Sequence, residues 1–251
     1  MDRDLNIIQI TDCHLLSDRN AIYNGINPYQ QLNKIIEALI NKHDPIDLIM
    51  LTGDLAEDGK IESYKHVLEI MEPAIALTHA IPGNHDNKNN MTHAFEPTFI
   101  KLEREVILDH WTILMLDSTL PNKIGGEISQ ETLKYIDAKA VQHKNKNILI
   151  FLHHNPISVD SGFFDKHMLC NGDEFMASIE KHKNIKAVSF GHVHQQFFAK
   201  KNGIKYYGTP STSVQFRPFI DKIAITSDLP GYRHFTLKQD ELLTNVHRVD
   251  L

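Results

Sequence analysis

The 251-residue chain has little cysteine, only Cys13 and Cys170. Two thiols cannot form a disulfide framework, and so few fit a reducing compartment. No apolar run approaches the ~18 residues of a membrane-spanning helix, so no membrane partner is expected. The opening MDRDLNIIQI lacks the basic-then-apolar layout of a secretory signal, and a cytoplasmic location follows as the expectation. Positive charge is also short. There are 26 Lys and Arg against 32 Asp and Glu, a formal net charge of −6, which argues against a nucleic-acid surface. A small anionic substrate is not excluded, because a metal site carries its own local charge. No low-complexity tract, repeat or interdomain linker breaks the chain. With 41% apolar residues it reads as a single globular domain over 1–251.

Histidine is plentiful, at sixteen residues. Six of them belong to the motifs below. The other ten, such as His43, His66 and His182, sit in helix-like or loop-like surroundings and are expected at the surface.

The first half alternates short apolar runs with helical spacing. LNIIQITD (5–12) and DLIMLTGD (47–54) read as buried strands. A third strand starts at IALTHAIPGNHD and breaks at Pro82-Gly83. Between the first two, Asn27 suits an N-cap and Pro28 the first helical position. Leu32, Ile35, Ile36, Leu39 and Ile40 recur at helical spacing, giving a helix over 27–43. A further helix falls near 60–71. This β-α-β-α-β order implies a mostly parallel arrangement. REVILDH and WTILMLDST read as neighbouring strands, followed by a helix near 129–143 and a strand at 147–154. A long loop over 155–170 leads to a helix near 172–182, where Asn171 and Glu174 resemble a capping box. After strand IKAVSFG the chain is β-rich, with a hairpin turning at Asn202-Gly203. The whole reads as α/β: two packed sheets with helices outside.

The chemistry collects at strand ends. Asp12 and His14 follow the first strand, Asp54 the second, and Asn84, His85 and Asp86 the third. His153 and His154 close NILIFLHH, and His192 and His194 follow IKAVSFG. Ligands in α/β sheets bind beyond the carboxyl ends of strands. Each motif alone is ordinary: Asp-x-His and Gly-Asp are common turn sequences, and a His pair can simply pack. Five successive strand ends bearing metal-competent groups are not explained by packing histidines. A two-metal hydrolytic site needs a shared ligand between ions about 3.5–4 Å apart, and Asp54 is the central candidate. Imidazole with carboxylate suits Mn, Fe or Zn. His192 and His194, two apart in an extended segment, would share a side about 6.6 Å apart, suited to one ion or to two adjacent ones. His85 should point away from Asn84's ion and toward substrate. At most one of His153 and His154 should be a ligand.

These blocks resemble the calcineurin-like metallophosphoesterase superfamily over nearly the whole chain. HHNPISVDSGFFDKHMLCN (153–171), GTPSTSVQFRP (208–218) and LPGYRHFTL (229–237) resemble the bacterial class III 3′,5′-cyclic AMP phosphodiesterases. The resemblance implies a four-layer αββα sandwich of two mixed sheets flanked by helices. It also implies two divalent transition-metal ions, Fe or Mn before Zn. One metal would take Asp12, His14, Asp54 and His194, and the other Asp54, Asn84, His153 and His192. His14, Asp54, Asn84, His85, His154 and His194 would surround the substrate. The catalytic assignments are His85, toward phosphate or leaving oxygen, and Asp86, orienting His85 or the loop backbone. The implied reaction is hydrolysis of 3′,5′-cyclic AMP to 5′-AMP by a metal-bridging hydroxide. Phe163 and Phe164 of the long loop would either wall the base or pack as surface. Broader phosphodiester, 2′,3′-cyclic nucleotide and phosphomonoester substrates share the same core. A non-catalytic scaffold would be expected to have lost ligands. The resemblance also allows a homodimer.

Overall fold

A computed structural model describes residues 3–42, 45–96 and 98–250. His43 lies outside the described residues, so its expected surface position is not addressed. The first sheet begins with β1 (Leu5–Ile10), followed by α1 (Pro28–Ile40), β2 (Leu48–Thr52), α2 (Ile61–Met71) and β3 (Leu77–Ile81). α3 (Lys88–Phe95) and the short β4 (Ile100–Lys101) complete this half. The sequence reading did not anticipate α3, whose eight residues carry a weak apolar pattern. Its N-cap, Asn87, accepts from the backbone N–H of Asn90.

The second sheet starts with β5 (Glu105–Ile107) and β6 (Trp111–Met115), then α4 (Gln130–Gln142) and β7 (Asn147–Leu152). The 155–170 segment contains α5 (Gly162–Lys166), followed by α6 (Gly172–Ile179) and β8 (Ile185–Phe190). The hairpin of β9 (Phe197–Lys201) and β10 (Ile204–Gly208) turns at Asn202-Gly203, both with positive φ, as expected. A small ribbon of β11 (Gln215–Phe216) and β12 (Ile225–Thr226) precedes β13 (Gly231–Leu237) and β14 (Leu242–Arg248), which return to the first sheet. Strand order is β14-β13-β1-β2-β3-β4 in one sheet and β5-β6-β7-β8-β10-β9 in the other. In the first sheet β1 to β4 run parallel and β13 and β14 add an antiparallel edge; in the second a parallel centre is flanked by two antiparallel edges, so both sheets are mixed.

The continuous apolar runs follow from burial on both strand faces. In β2, Leu48 and Met50 join the layer between the sheets, while Ile49 and Leu51 pack outward with α1 and α2. In β7, Leu149 and Phe151 turn inward, and Ile148, Ile150 and Leu152 turn toward α4 and α6. The result is the four-layer αββα sandwich. Trp111 is buried between the sheets and donates its indole N–H to the Lys238 carbonyl. Near the strand ends, buried Gln9 of β1 ties the sheets together. It donates to Thr52 Oγ1 and accepts from Ser189 on β8 and from Thr209.

Two local expectations are corrected. Asn171 does not cap α6 with its side chain; its amide instead clamps the Ile128 backbone, accepting from the N–H and donating to the carbonyl. His66, His79 and His143 are buried rather than at the surface. His66 bonds the Leu16 carbonyl and His143 bonds Glu105, so polar partners inside the fold make that burial tolerable.

Candidate metal centre

The carboxyl ends of β1, β2, β3, β7 and β8 meet at one edge of the sandwich. Thr11 to Leu15, Thr52 to Ala56, and His153, His154, His192 and His194 are all buried there, whereas Asn84 and His85 reach the surface of a cavity of about 470 Å³. Asp12, His14, Asp54, His192 and His194 have φ between 50° and 65°, the left-handed region that non-glycine residues seldom occupy. Strain gathered on five candidate residues is expected where side-chain direction matters more than backbone comfort. It also corrects one expectation. The segment around His192 and His194 is not extended; two left-handed residues flanking Val193 turn both imidazoles into the site.

Small neighbours make room for this crowding. Gly53 has φ +94°, and a Cβ there would lie 2.5 Å from His153 Nδ1. A Cβ on Gly191 would meet Thr11 Oγ1 at 2.1 Å and Asp12 Oδ2 at 2.7 Å. These contacts explain the glycine that precedes Asp54 and His192.

Two sets of donor atoms converge. Asp12, His14 and His194 offer ligand atoms all within 4.8 Å of one another, and so do His153, His154 and His192. A third such group, Asp12, Asp54 and His153, joins them. Asp54 Oδ2 lies 3.3 Å from His153 Nε2 and 4.0 Å from His14 Nε2, between the two sets. Asn84 Oδ1 lies 3.2 Å from His153 Nε2.

The donor chemistry fits cations. His153 Nδ1 donates to the Thr52 carbonyl, His194 Nδ1 to the Val214 carbonyl, and His14 Nδ1 to the Glu57 carboxylate. In neutral imidazole this leaves the lone pair on Nε2, pointing inward. His14 Nε2 and His194 Nε2 therefore face each other lone pair to lone pair at 3.1 Å, beside Asp12 Oδ1 at 3.3 Å. His192 Nε2 is buried and has no hydrogen-bond partner among the described residues. Inward-facing acceptors without donors between them are the arrangement a divalent ion satisfies. Asp12 is itself oriented, since the His192 backbone N–H donates to both its oxygens at 3.1 Å.

Protonation equilibria carry the same signature. Burial opposes ionisation of Asp54, yet His153 and His14 hold it well below the ordinary carboxylate range. Burial likewise opposes, and His194 overcomes, in depressing Asp12. Burial disfavours a charged His153, but Asp54 and Asp12 raise it to about 9. Burial, with His154 and His153 nearby, drives His192 well down, and burial lowers His14 despite Glu57. The carboxylates demand positive charge here; His153 can take part of it as a proton, whereas burial makes His14 and His192 poor places for one.

His154 stands apart. Its Nε2 donates to the Ile124 carbonyl and its Nδ1 pairs with Ser118 Oγ, so neither nitrogen is turned to the cavity. Burial and His153 lower its pKa to about 3. Asp86 also faces elsewhere. Its oxygens accept from the backbone N–H groups of Gly83, Ala56 and Leu55 and from Tyr64 Oη, fastening the β3 loop to the β2 loop. Burial and the Asp54 charge raise it to about 6 against those donors.

Glu57 is the residue that sequence reasoning missed. Its Oε2 accepts from His14 Nδ1 at 2.7 Å and from His85 Nδ1 at 3.1 Å. One carboxylate thus orients a candidate ligand and the candidate substrate-facing histidine. Burial opposes its ionisation, but those two imidazoles hold it down at about 2. In return, against burial, Glu57 and Asp54 raise His85 to about 9. The signal was a second acid three residues after Asp54, in the turn GDLAEDG (53–59).

Aromatic rings brace the imidazoles from the cavity side. Tyr23 stacks on His14 at 4.8 Å, Phe216 on His194 at 4.5 Å, and Phe164 meets His192 edge-on at 5.5 Å. With Phe163, Ile223 and Ile225 they supply the apolar part of the cavity lining.

The calcineurin-like phosphoesterase family matches residues 5–196, and the chain belongs to it. Among curated relatives, a 3′,5′-cyclic-nucleotide phosphodiesterase of Nostoc is 32% identical over 98% of this chain and 92% of its own. The 3′,5′-cyclic adenosine monophosphate phosphodiesterase CpdA of Escherichia coli is 32% identical over 98% and 90%. Among solved structures, a dimetal phosphatase from Danio rerio superposes with a TM-score of 0.71 at 12% identity, covering 97% of this chain and 99% of that one. A Plasmodium protein described as the anchor in the inner membrane complex gives 0.70 at 13% identity, covering 99% and 89%. Likeness at that identity speaks to the fold alone.

Proposed function

We propose that this chain is a metal-dependent phosphodiesterase that hydrolyses 3′,5′-cyclic AMP to 5′-AMP at a dinuclear centre, acting in the cytoplasm as one domain over 1–251. The observation that carries this reading is the convergence of Asp12, His14 and His194 on one side and His153 and His192 on the other, with Asp54 between them and His85 held beside them by Glu57. Full-length similarity to relatives named for cyclic nucleotide hydrolysis supports the substrate. One ion would be held by Asp12, His14, Asp54 and His194. The other would be held by Asp54, Asn84, His153 and His192. Bound there, a divalent pair supplies Lewis acidity toward phosphate oxygens and makes water acidic enough to serve as nucleophile near neutral pH. Mn or Fe suits this mix of imidazole and carboxylate, with Zn also compatible.

The protein's own groups do the rest. Glu57 fixes the His85 ring through Nδ1, which aims Nε2 over the cavity, 4.0 Å from Asp54 Oδ2. From there a protonated His85 donates to a phosphoryl oxygen or to the departing 3′ oxygen. His14, Asp54, Asn84 and His194 line the same cavity around the phosphate. His154 contributes indirectly, by anchoring the wall at Ile124. Phe163, Phe164 and Phe216 offer stacking surfaces for a base. A scaffold role would not need the carboxylate and imidazole donors that the chain retains at these strand ends. The free, exposed thiol of Cys170 fits a reducing compartment.

The test is a substrate panel after reconstitution with Mn(II) or Fe(II): 3′,5′-cyclic AMP, 3′,5′-cyclic GMP, 2′,3′-cyclic AMP, a bis-aryl phosphodiester and an aryl phosphomonoester. The expected result is metal-dependent release of 5′-AMP with 3′,5′-cyclic AMP preferred. Preference for the monoester would overturn the reading.

A further inference from the structure

The cleft continues past the cavity that holds the metal-competent residues. Between β6 and α4 the chain forms a ridge, and Asn122, Lys123 and Ile124 line that cavity on one side. The same three residues line a second, open cavity of about 670 Å³ on the other, floored by 165–170. The ridge is fixed from both flanks. His154 Nε2 donates to the Ile124 carbonyl, and Gly126 exchanges backbone hydrogen bonds with Met168 and Cys170. A Cβ at Gly125 would press on the His167 and Met168 carbonyls at 3.1 and 3.2 Å, so the ridge lies flat on that floor.

The second cavity presents Lys123 and Lys166, neither of which forms an ion pair with another described residue. Its carboxylate, Asp165, has both oxygens engaged by Ser158 Oγ and the backbone N–H groups of Val159 and Ser161. A chain of net charge −6 thus offers two unpaired cations next to a candidate phosphodiester site. Positive groups beside a cleft bind and steer anions.

We infer that this second cavity receives the leaving nucleotide of a linear substrate, and that the protein also hydrolyses dinucleotides carrying a terminal 5′-phosphate, such as diadenylate pApA. The inference rests on the phosphodiesterase reading above. In a 3′,5′-cyclic nucleotide the departing O3′ is on the same ribose as the phosphate, and one cavity holds the whole molecule. In a linear dinucleotide that O3′ belongs to a second nucleotide, which needs room across the ridge. Water oxygen bonds to phosphorus and the P–O3′ bond breaks, with its electron pair going to O3′. O3′ takes the proton that His85 delivers, and the proton lost by water restores the balance. One pApA and one water give two molecules of 5′-AMP. Lys123 lies where both cavities meet, and Lys166 faces only the second, where it meets the terminal phosphate.

The experiment compares pApA, unphosphorylated ApA, 3′,5′-cyclic AMP and bis(p-nitrophenyl) phosphate on the metal-loaded wild type, Lys166→Glu and Lys166→Arg. Wild type should cleave pApA with KM about fivefold below that for ApA, as expected for one partly exposed charge pair. Lys166→Glu should abolish that difference while the KM for cyclic AMP stays within about twofold, and Lys166→Arg should preserve it. High salt should erode the pApA advantage. Two results overturn the inference: pApA resisting cleavage while cyclic AMP or the aryl diester is hydrolysed, or a pApA-to-ApA ratio unchanged in Lys166→Glu. Failure on all four diesters would instead overturn the phosphodiesterase reading, and the subsite with it.

Discussion

The two sheets bring different chemistry to the edge where they meet. The first sheet's strand ends deliver Asp12, Asp54 and Asn84, and the second sheet's deliver His153, His192 and His194. Acids approach from one side and bases from the other, and the bonds between them cross the interface. His153 donates to Thr52, the His192 N–H donates to Asp12, and Thr212 N–H donates to the Thr11 carbonyl. Neither half would be comfortable alone, because burying unpaired carboxylates is costly. The contrast teaches that the site is also a joint: groups able to hold metal help set how the sheets meet. His14 and His85 are the exceptions, imidazoles on the acidic side, and Glu57 of that same side secures both.

The largest break in this arrangement is removal of Asp54. Asp54→Ala deletes the carboxylate between the two donor sets, and turnover should fall by about a thousandfold, the scale of losing several kcal/mol of Lewis-acid stabilisation. Steady-state hydrolysis of a phosphodiester checks this, with Asp54→Asn as a same-shape control should the alanine variant fold poorly. Activity within about tenfold of wild type would remove Asp54 from the centre. A one-sided break comes next. His192→Ala removes the donor with the unpartnered Nε2 and should lower metal content from two ions toward one by elemental analysis. Two ions still fully bound would show that the His192 set is not a separate position.

Much of this division was legible in the sequence, for a physical reason. Strands buried on both faces are continuously apolar, so the first polar residues after Ile10, Thr52, Leu152 and Phe190 stand out. The left-handed φ of Asp12, His14, Asp54, His192 and His194 was not legible, since no local residue preference asks for it; tertiary crowding imposes it. Glu57 escaped because its role depends on His85 arriving from a different strand end. His66, His79 and His143 looked like surface residues because their partners, the Leu16 carbonyl, Glu103 and Glu105, are distant in sequence. The ridge at 122–124 is set by His154 and by the 165–170 segment, both remote from it in sequence.

A smaller effect sharpens the role of the acidic side. Glu57→Gln keeps the shape but removes the charge that holds His14 and His85 together. Loss of a group that orients a metal-binding histidine typically costs about 10–100-fold, and kcat should fall in that range. Glu57→Asp should recover part of the loss. KM for cyclic AMP should change less than kcat, because Glu57 does not line the cavity. Unchanged kcat in Glu57→Gln would leave His85 oriented by other means.

The smallest effect isolates a bond that stays within the first sheet. Asp58 accepts from Ser63 Oγ, the Ser17 backbone N–H and the Lys60 backbone N–H, tying the loop after β1 to the start of α2. No group from the second sheet takes part, so its loss should be local. Partial burial disfavours its ionisation, but the Ser63 hydroxyl and the two backbone N–H groups lower its pKa from 3.8 to about 2. A carboxylate depressed in the folded state stabilises the fold above its unfolded pKa and loses that contribution as pH falls through the folded value. The full shift would correspond to roughly 2 kcal/mol, and solvent screening of this partly exposed group reduces it to about 1 kcal/mol. Asp58→Asn should therefore unfold about 1 kcal/mol more easily at pH 7 by urea titration, with the gap to wild type closing between about pH 4 and pH 2. A gap that persists unchanged at low pH would mean that Asp58 acts through shape rather than charge. Phosphodiester turnover at pH 7 should stay near wild type, because Asp58 binds only the loops that carry the first sheet's donors, whereas Asp54 faces the second sheet's imidazoles.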